Sequence, residues 1–173
     1  MVDPLRSLER IALRATRLAL PYIASRKQFL LATVDETTQY HPFEERNVHP
    51  DLPDLVRHLF DDGHFAQATF EAFKYVDKVV QKHADSTEIG TKLMGKAFGE
   101  TGAVVLTRRQ TSSDTSEEKG YYHLFAGGVL AIRNPRGHEH SIQDSPDNCL
   151  DHLAFASMLL RRLEDAGFRV DGC

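Results

Sequence analysis

The stretch Arg133-Asn134-Pro135-Arg136-Gly137-His138-Glu139-His140 places a guanidinium, a carboxamide and an imidazole within six residues. An imidazole, with an unperturbed pKa of ~6.5, gives or takes a proton near neutral pH. A guanidinium stays charged and bonds two phosphate oxygens at once. Side by side they suit proton transfer and charge stabilisation at a phosphodiester. Arg133 and His138 fit the spacing R-x4-H; Arg133 and His140 fit R-x6-H. The competing reading is structural. Cationic side chains at a helix C-terminus complement its dipole and cap its last carbonyls, while Asn-Pro and Arg-Gly make a turn.

The pair has to be positioned by the elements around it. A helix is expected over Glu117–Ile132, with Tyr121, Phe125, Val129 and Ile132 on its apolar face. Thr115-x-x-Glu118 has the capping-box spacing that would open it. Asn134-Pro135 should end it, because proline lacks an N–H and pushes the preceding residue out of the α region. Gly127-Gly128 inside it costs ~1 kcal/mol per glycine relative to alanine. That is tolerable if another backbone packs close, within the bundle or across a dimer. Ser145-Pro146 then starts a last helix, cap followed by proline. Its apolar residues, Leu150 to Leu163, cover more than one face, so it should be central. Gly167 ends it.

Upstream, Leu52, Leu55, Val56, Leu59 and Phe60 recur at i, i+3, i+4, i+7, i+8 and form one apolar face. Gly63 suits the C′ position that closes such a helix. A long helix comes next over roughly 64–84, carrying Phe65, Ala72, Phe73, Val76, Val79 and Val80. A short one with Leu93, Met94, Ala97 and Phe98 stops at Gly99. Ala103 to Leu106 reads as briefly extended, and Thr107 to Ser116 as a polar loop. No long strand-like alternation and no internal repeat is present. The expected fold is all-α, an antiparallel bundle of four to five helices with an N-terminal helical arm.

The arm covers residues 1–42 and the helical domain 43–173. Asp3-Pro4 is a helix start, and Pro21 should kink or end that helix. Residues 1–30 hold six Lys/Arg against two acids, whereas the remainder holds 15 against 23. Arg6, Arg10, Arg14 and Arg17 form a stripe that hints at an acidic or polyanionic partner, although a solvated helix face is the simpler and preferred reading. With a net charge of −4, the chain as a whole does not announce a nucleic-acid binder. No apolar run approaches a membrane span, and Asp3 and Arg6 interrupt a signal-peptide reading. Cys149 and Cys173 are too few for a disulfide framework and fit a reducing cytoplasm.

The surroundings of the Arg-His stretch carry more than its spacing does. "HP…LFDDGHFAQATFEAFKYVD", "LMGKAF", "LFAGGVLAIRNPRGHEH" and "DHLAFASMLLRRLEDA", in that order, resemble the Ymh-type family of HEPN-like proteins over roughly residues 49–166. The resemblance implies a helical domain and a metal-independent endoribonuclease of phage-defence, abortive-infection or toxin–antitoxin type. It also implies a homodimer in which the Arg-x(4–6)-His stretches of two subunits face one another over RNA. Arg133, Asn134 and His138 match the family's catalytic positions, and His140 only the longer spacing. In that chemistry the RNA 2′-OH attacks the adjacent phosphorus, one imidazole takes its proton, and another group protonates the leaving 5′ oxygen. The guanidinium stabilises the added charge. Arg136, His140 and Tyr122 are the expected substrate-binding residues. Glu71 and Lys74 could border the site, though solvated positions are their default. No cofactor is expected, and an antitoxin or defence-system partner is. The alternative is a helical module that binds nucleotide, RNA or protein without cleaving.

Other constellations are weaker. His138-x-His140, Asp144 and His152 offer a thin set of metal ligands with no cysteine cluster behind it. Cys149 reads as a small buried hydrophobe. Neither a phosphate-cradling G-x-x-x-x-G-K-[ST] nor a G-x-S-x-G serine site is present.

Overall fold

The computed structural model describes residues 40–139 and 141–172. The expectations for the basic arm, its arginine stripe and His140 therefore lie outside the described residues. One compact unit runs from His41 to the C-terminus. Its helices are α1 (Pro42–Glu45), α2 (Asp54–Asp61), α3 (Phe65–Ala84), α4 (Gly90–Phe98), α5 (Ser112–Gly127), a π-helix (Gly128–Arg133), α6 (Asn134–His138) and α7 (Pro146–Asp165). Among the described residues there is no strand, so the unit is an all-α bundle.

The long helix α3 is the hub, rather than α7 as its broad apolar surface suggests. It packs against α2, α4, α6, α7 and the π segment. Small residues on one side explain this: Ala68, Thr69 and Ala72 are fully buried and let neighbours approach. On either side of them Phe73, Val76, Val79 and Val80 fill the core with Leu153, Leu159, Leu160 and Leu163 of α7. In α2 the expected stripe is only partly used. Val56 and Phe60 are buried, but Leu55 is 50% exposed. Gly63 does close α2, at φ +79°. Its N–H donates to the Phe60 carbonyl (3.0 Å) and the His64 N–H to that of Leu59 (2.8 Å), a Schellman closure. Gly167 closes α7 in the same way, at φ +90°.

The start of α5 differs from expectation. The capping box is Thr111 with Asp114, not Thr115 with Glu118. Asp114 accepts the Gln110 and Thr111 N–H groups (2.9 and 3.2 Å). Glu118 points inward, where Arg109 grips it through Nε and Nη2 (2.7 and 2.8 Å) and the Leu106 N–H donates to it. The stretch 107–111 is thus tied to α5 by side chains, and the four residues Ala103 to Leu106 form no strand.

Nor does the chain stop at Asn134-Pro135. Arg133 and Asn134 both have right-handed helical dihedrals, and residues 112–138 form one α–π–α rod. In a regular α-helix Pro135 would crowd the carbonyl four residues back and leave it without a donor. The π segment widens the helix just before it, with the Asn134 N–H reaching the Val129 carbonyl five residues back. A turn wider by one residue absorbs the proline that would otherwise break the rod.

The two adjacent glycines do different things. A Cβ at Gly128 would lie 2.8 Å from Phe73 Cε1 and 3.1 Å from Phe155 Cε1, so aromatic rings, not a backbone, require that glycine. A Cβ at Gly127 would meet nothing within 4 Å. Gly128→Ala is therefore expected to destabilise by ~1–3 kcal/mol through overpacking. Gly127→Ala is expected to stabilise the monomer fold by up to ~1 kcal/mol through helix propensity. Urea unfolding of both variants checks the opposite signs.

Candidate functional site

Arg133 ends the π segment and turns into the bundle. Its side chain is 17% exposed, and its Nε lies 3.8 Å from Asp77 Oδ2 of α3. The guanidinium carbon sits 5.4 Å from the centroid of the Phe70 ring, also on α3. Its Nη1 donates to Asn134 Oδ1 at 3.4 Å. Three neighbours thus set the plane of the guanidinium: a carboxylate behind Nε, a ring against its face and a carboxamide at Nη1.

Asp77 is 3% exposed. Its Oδ2 accepts the Gly90 N–H at the start of α4 (3.2 Å), and its Oδ1 is buried without a hydrogen-bond partner, as is Arg133 Nε. Burial pushes the Asp77 carboxyl above its ordinary pKa, and the Arg133 charge only partly offsets this.

His138, the last residue of α6, is exposed and makes no hydrogen bond, ion pair or ring contact with the described residues. Five residues along a helix is a rotation of roughly 140°, so Arg133 and His138 leave the rod on different sides. Within one chain the two do not meet. Asn134 lies between them and joins only the arginine.

The expected substrate-binding residues sit elsewhere. Arg136 is locked on Asp144 through Nε (2.6 Å) and Nη2 (2.5 Å), while its Nη1 donates to the Ile132 carbonyl (2.7 Å). The two side chains are 9% and 5% exposed. Arg136 borders a cavity of about 560 Å³ beside His64 and Phe65 at the start of α3. Tyr122 lines a different cavity, about 280 Å³, with Phe98, Arg109, Glu118 and Lys119. It precedes Arg133 by ~16 Å of helix rise. Glu71 and Lys74 pair with each other on α3 (3.0 Å). Of the conjectured metal ligands, Asp144 and His152 approach to 3.9 Å, but both Asp144 oxygens are taken by Arg136, His138 joins neither among the described residues, and His140 lies outside them. Cys149 is buried, and burial raises its thiol to about 11, which leaves it an inert core residue.

Sequence reasoning misses Asp77 and Phe70. A signal for Asp77 is present: it falls inside the apolar stripe of α3, four residues after Phe73 and three before Val80. A carboxylate at a core position is uncommon unless paired.

The Arg136–Asp144–His152 cluster has a pH signature. Burial works to raise the Asp144 carboxyl, but the Arg136 hydrogen bonds and charge override it and hold it below its ordinary value. Burial, then the Arg136 charge, lower the His152 imidazole. Both groups bind protons more weakly folded than unfolded, so each contributes stability at neutral pH that acid removes. The thermal midpoint is expected to fall first below pH ~6.5, as unfolded His152 takes up its proton, and again below ~4 with Asp144. His152→Gln should erase the first step in a melting series.

These features define an all-helical domain with a half-buried arginine and an exposed histidine at the end of one α–π–α rod. The chain belongs to the family described as "Protein of unknown function (Hypoth_ymh)", whose model matches residues 46–163. No curated protein and no solved structure matches the chain. The family match assigns no activity and does not itself link the chain to the HEPN superfamily. Among the described residues, no helix is long and apolar enough to cross a membrane.

Proposed function

We propose that this chain is a metal-independent endoribonuclease of HEPN type, acting in the cytoplasm in a defence or toxin–antitoxin setting as a homodimer. The observation that carries the reading is the unengaged His138 on the same short rod as Arg133 and Asn134. An exposed imidazole with no partner among the described residues is available for proton transfer, and a guanidinium fixed on three sides is preorganised for a phosphate. The separation of the two within one chain calls for a second copy. The outward side of the rod supports one: Leu124 and Leu130 are 41% and 62% exposed, with Gly127 and Ala131 exposed beside them. If the two rods run parallel about a two-fold axis, pairing along this apolar face sets the two rod ends side by side, and one His138 then serves as base and its mate as acid.

The test is incubation of purified protein with single-stranded RNA in EDTA. Expected products carry a 2′,3′-cyclic phosphate and a 5′-OH, and an all-deoxy strand of the same sequence stays intact. Cleavage of the deoxy strand, or cleavage only with added metal, sinks the proposal.

A second reading rests on the inward turn of Arg133 and the locked Arg136: a binding module in which these arginines serve the fold. RNA binding without cleavage in the same experiment supports it.

A further inference from the structure

Asp77 is a poor structural residue by its own geometry. It sits in the core stripe of the hub helix, 3% exposed. One carboxylate oxygen is buried and unpartnered; the other receives the Gly90 amide at 3.2 Å. Its ion partner stands at 3.8 Å, too far for a hydrogen bond, and leaves a buried Nε–H unmatched as well. A buried pair that leaves one carboxylate oxygen and the Nε–H unsatisfied costs stability that a neutral residue would not. Under-satisfied groups of this kind concentrate where a site gives up stability for function.

We propose that Asp77 is the positioning residue of Arg133, holding the Nε edge against α3 so that the Nη edge, beside Asn134, faces a phosphodiester; this rests on the endoribonuclease reading. Phe70 supplies the floor and prevents the guanidinium from tilting. Gly90, at φ +64°, brings the first amide of α4 onto the same carboxylate, so the position of Asp77 is fixed from a second helix.

The charged and polar groups facing Asp77 are Arg133 from the π segment, the Gly90 amide from α4 and Lys78 on its own helix. Its carboxyl is raised in the fold, so the native state binds that proton more tightly than the unfolded chain does. The associated stability is present below the unfolded pKa and is lost as pH rises through the folded one. Asparagine suffers no such loss.

The experiment compares the wild-type full chain with Asp77→Asn and Asp77→Glu. In Asp77→Asn the melting midpoint relative to wild type is expected to shift upward between pH 4 and pH 7. Exchange of the Arg133 Nε–H with water, followed by ¹⁵N NMR, is expected to speed about tenfold, the mark of a freed side chain. With a single-stranded oligoribonucleotide in EDTA, kcat falls by roughly tenfold or more while KM stays within about twofold, and Asp77→Glu recovers part of the loss. Unchanged Nε–H exchange in Asp77→Asn overturns the proposal, as does a loss of activity that merely tracks a lower melting midpoint. If wild type cleaves no RNA, the nuclease reading fails by itself, and the exchange measurement still decides whether Asp77 holds Arg133.

Discussion

His138→Ala is expected to lower RNA cleavage by about a hundred- to ten-thousand-fold, the range for removing a general acid or base. The fold should not notice: His138 is exposed and has no partner among the described residues, so stability stays within ~0.5 kcal/mol of wild type. That combination makes His138 the cleanest probe of the site. Arg133 is less clean. Arg133→Ala strands Asp77 as an uncompensated buried carboxylate, so loss of activity would mix with loss of fold. Arg133→Lys keeps the charge and removes the planar fork, and is the better comparison. Cleavage measured beside urea unfolding for both variants separates catalysis from stability. A His138→Ala protein that cleaves at the wild-type rate removes this residue from the mechanism.

The largest expected effect on stability lies at Arg136, not at the catalytic candidates. Arg136→Ala leaves Asp144, 5% exposed, without its bidentate partner and the Ile132 carbonyl without its donor. Removing one member of a buried ion pair costs ~3–5 kcal/mol. For a domain of this size that is a fall of roughly 10–20 °C in melting temperature. Replacing both members together, Arg136→Met with Asp144→Leu, is expected to cost much less, because no charge is left stranded. Thermal melts of the single and double variants check the contrast. Equal losses would mean that the pair acts only through packing. Arg136→Ala should also loosen the rod end, since the same guanidinium ties the π segment to α7 by way of Asp144 and His152.

Most of the bundle is legible from apolar spacing. The stripe in α3 and the closures at Gly63 and Gly167 arise from period and from the one residue that tolerates a positive φ. The failures share a cause: local rules apply poorly where tertiary partners decide. Pro135 reads as a helix stop, but a π segment one residue wider lets the rod continue. Thr115-x-x-Glu118 has capping-box spacing, but Arg109 draws Glu118 inward and Thr111–Asp114 caps instead. Arg136 resembles a free phosphate ligand because Asp144, eight residues on, carries no sign in the sequence that it folds back. The motif spacing identifies Arg133 and His138 as a pair. It cannot say that they leave the rod on different sides, since that follows only because residues 134–138 continue the helix past Pro135 instead of forming a turn.

The claim that two copies share one site is tested most directly by mixing wild type with His138→Ala at fixed total concentration, after denaturing and refolding the chains together. If each site needs both imidazoles, only wild-type homodimers cleave. An equal mixture then retains about one quarter of the wild-type rate, and activity varies as the square of the wild-type fraction. A retained rate of about one half, linear in that fraction, would mean that each chain works alone, and would contradict the account.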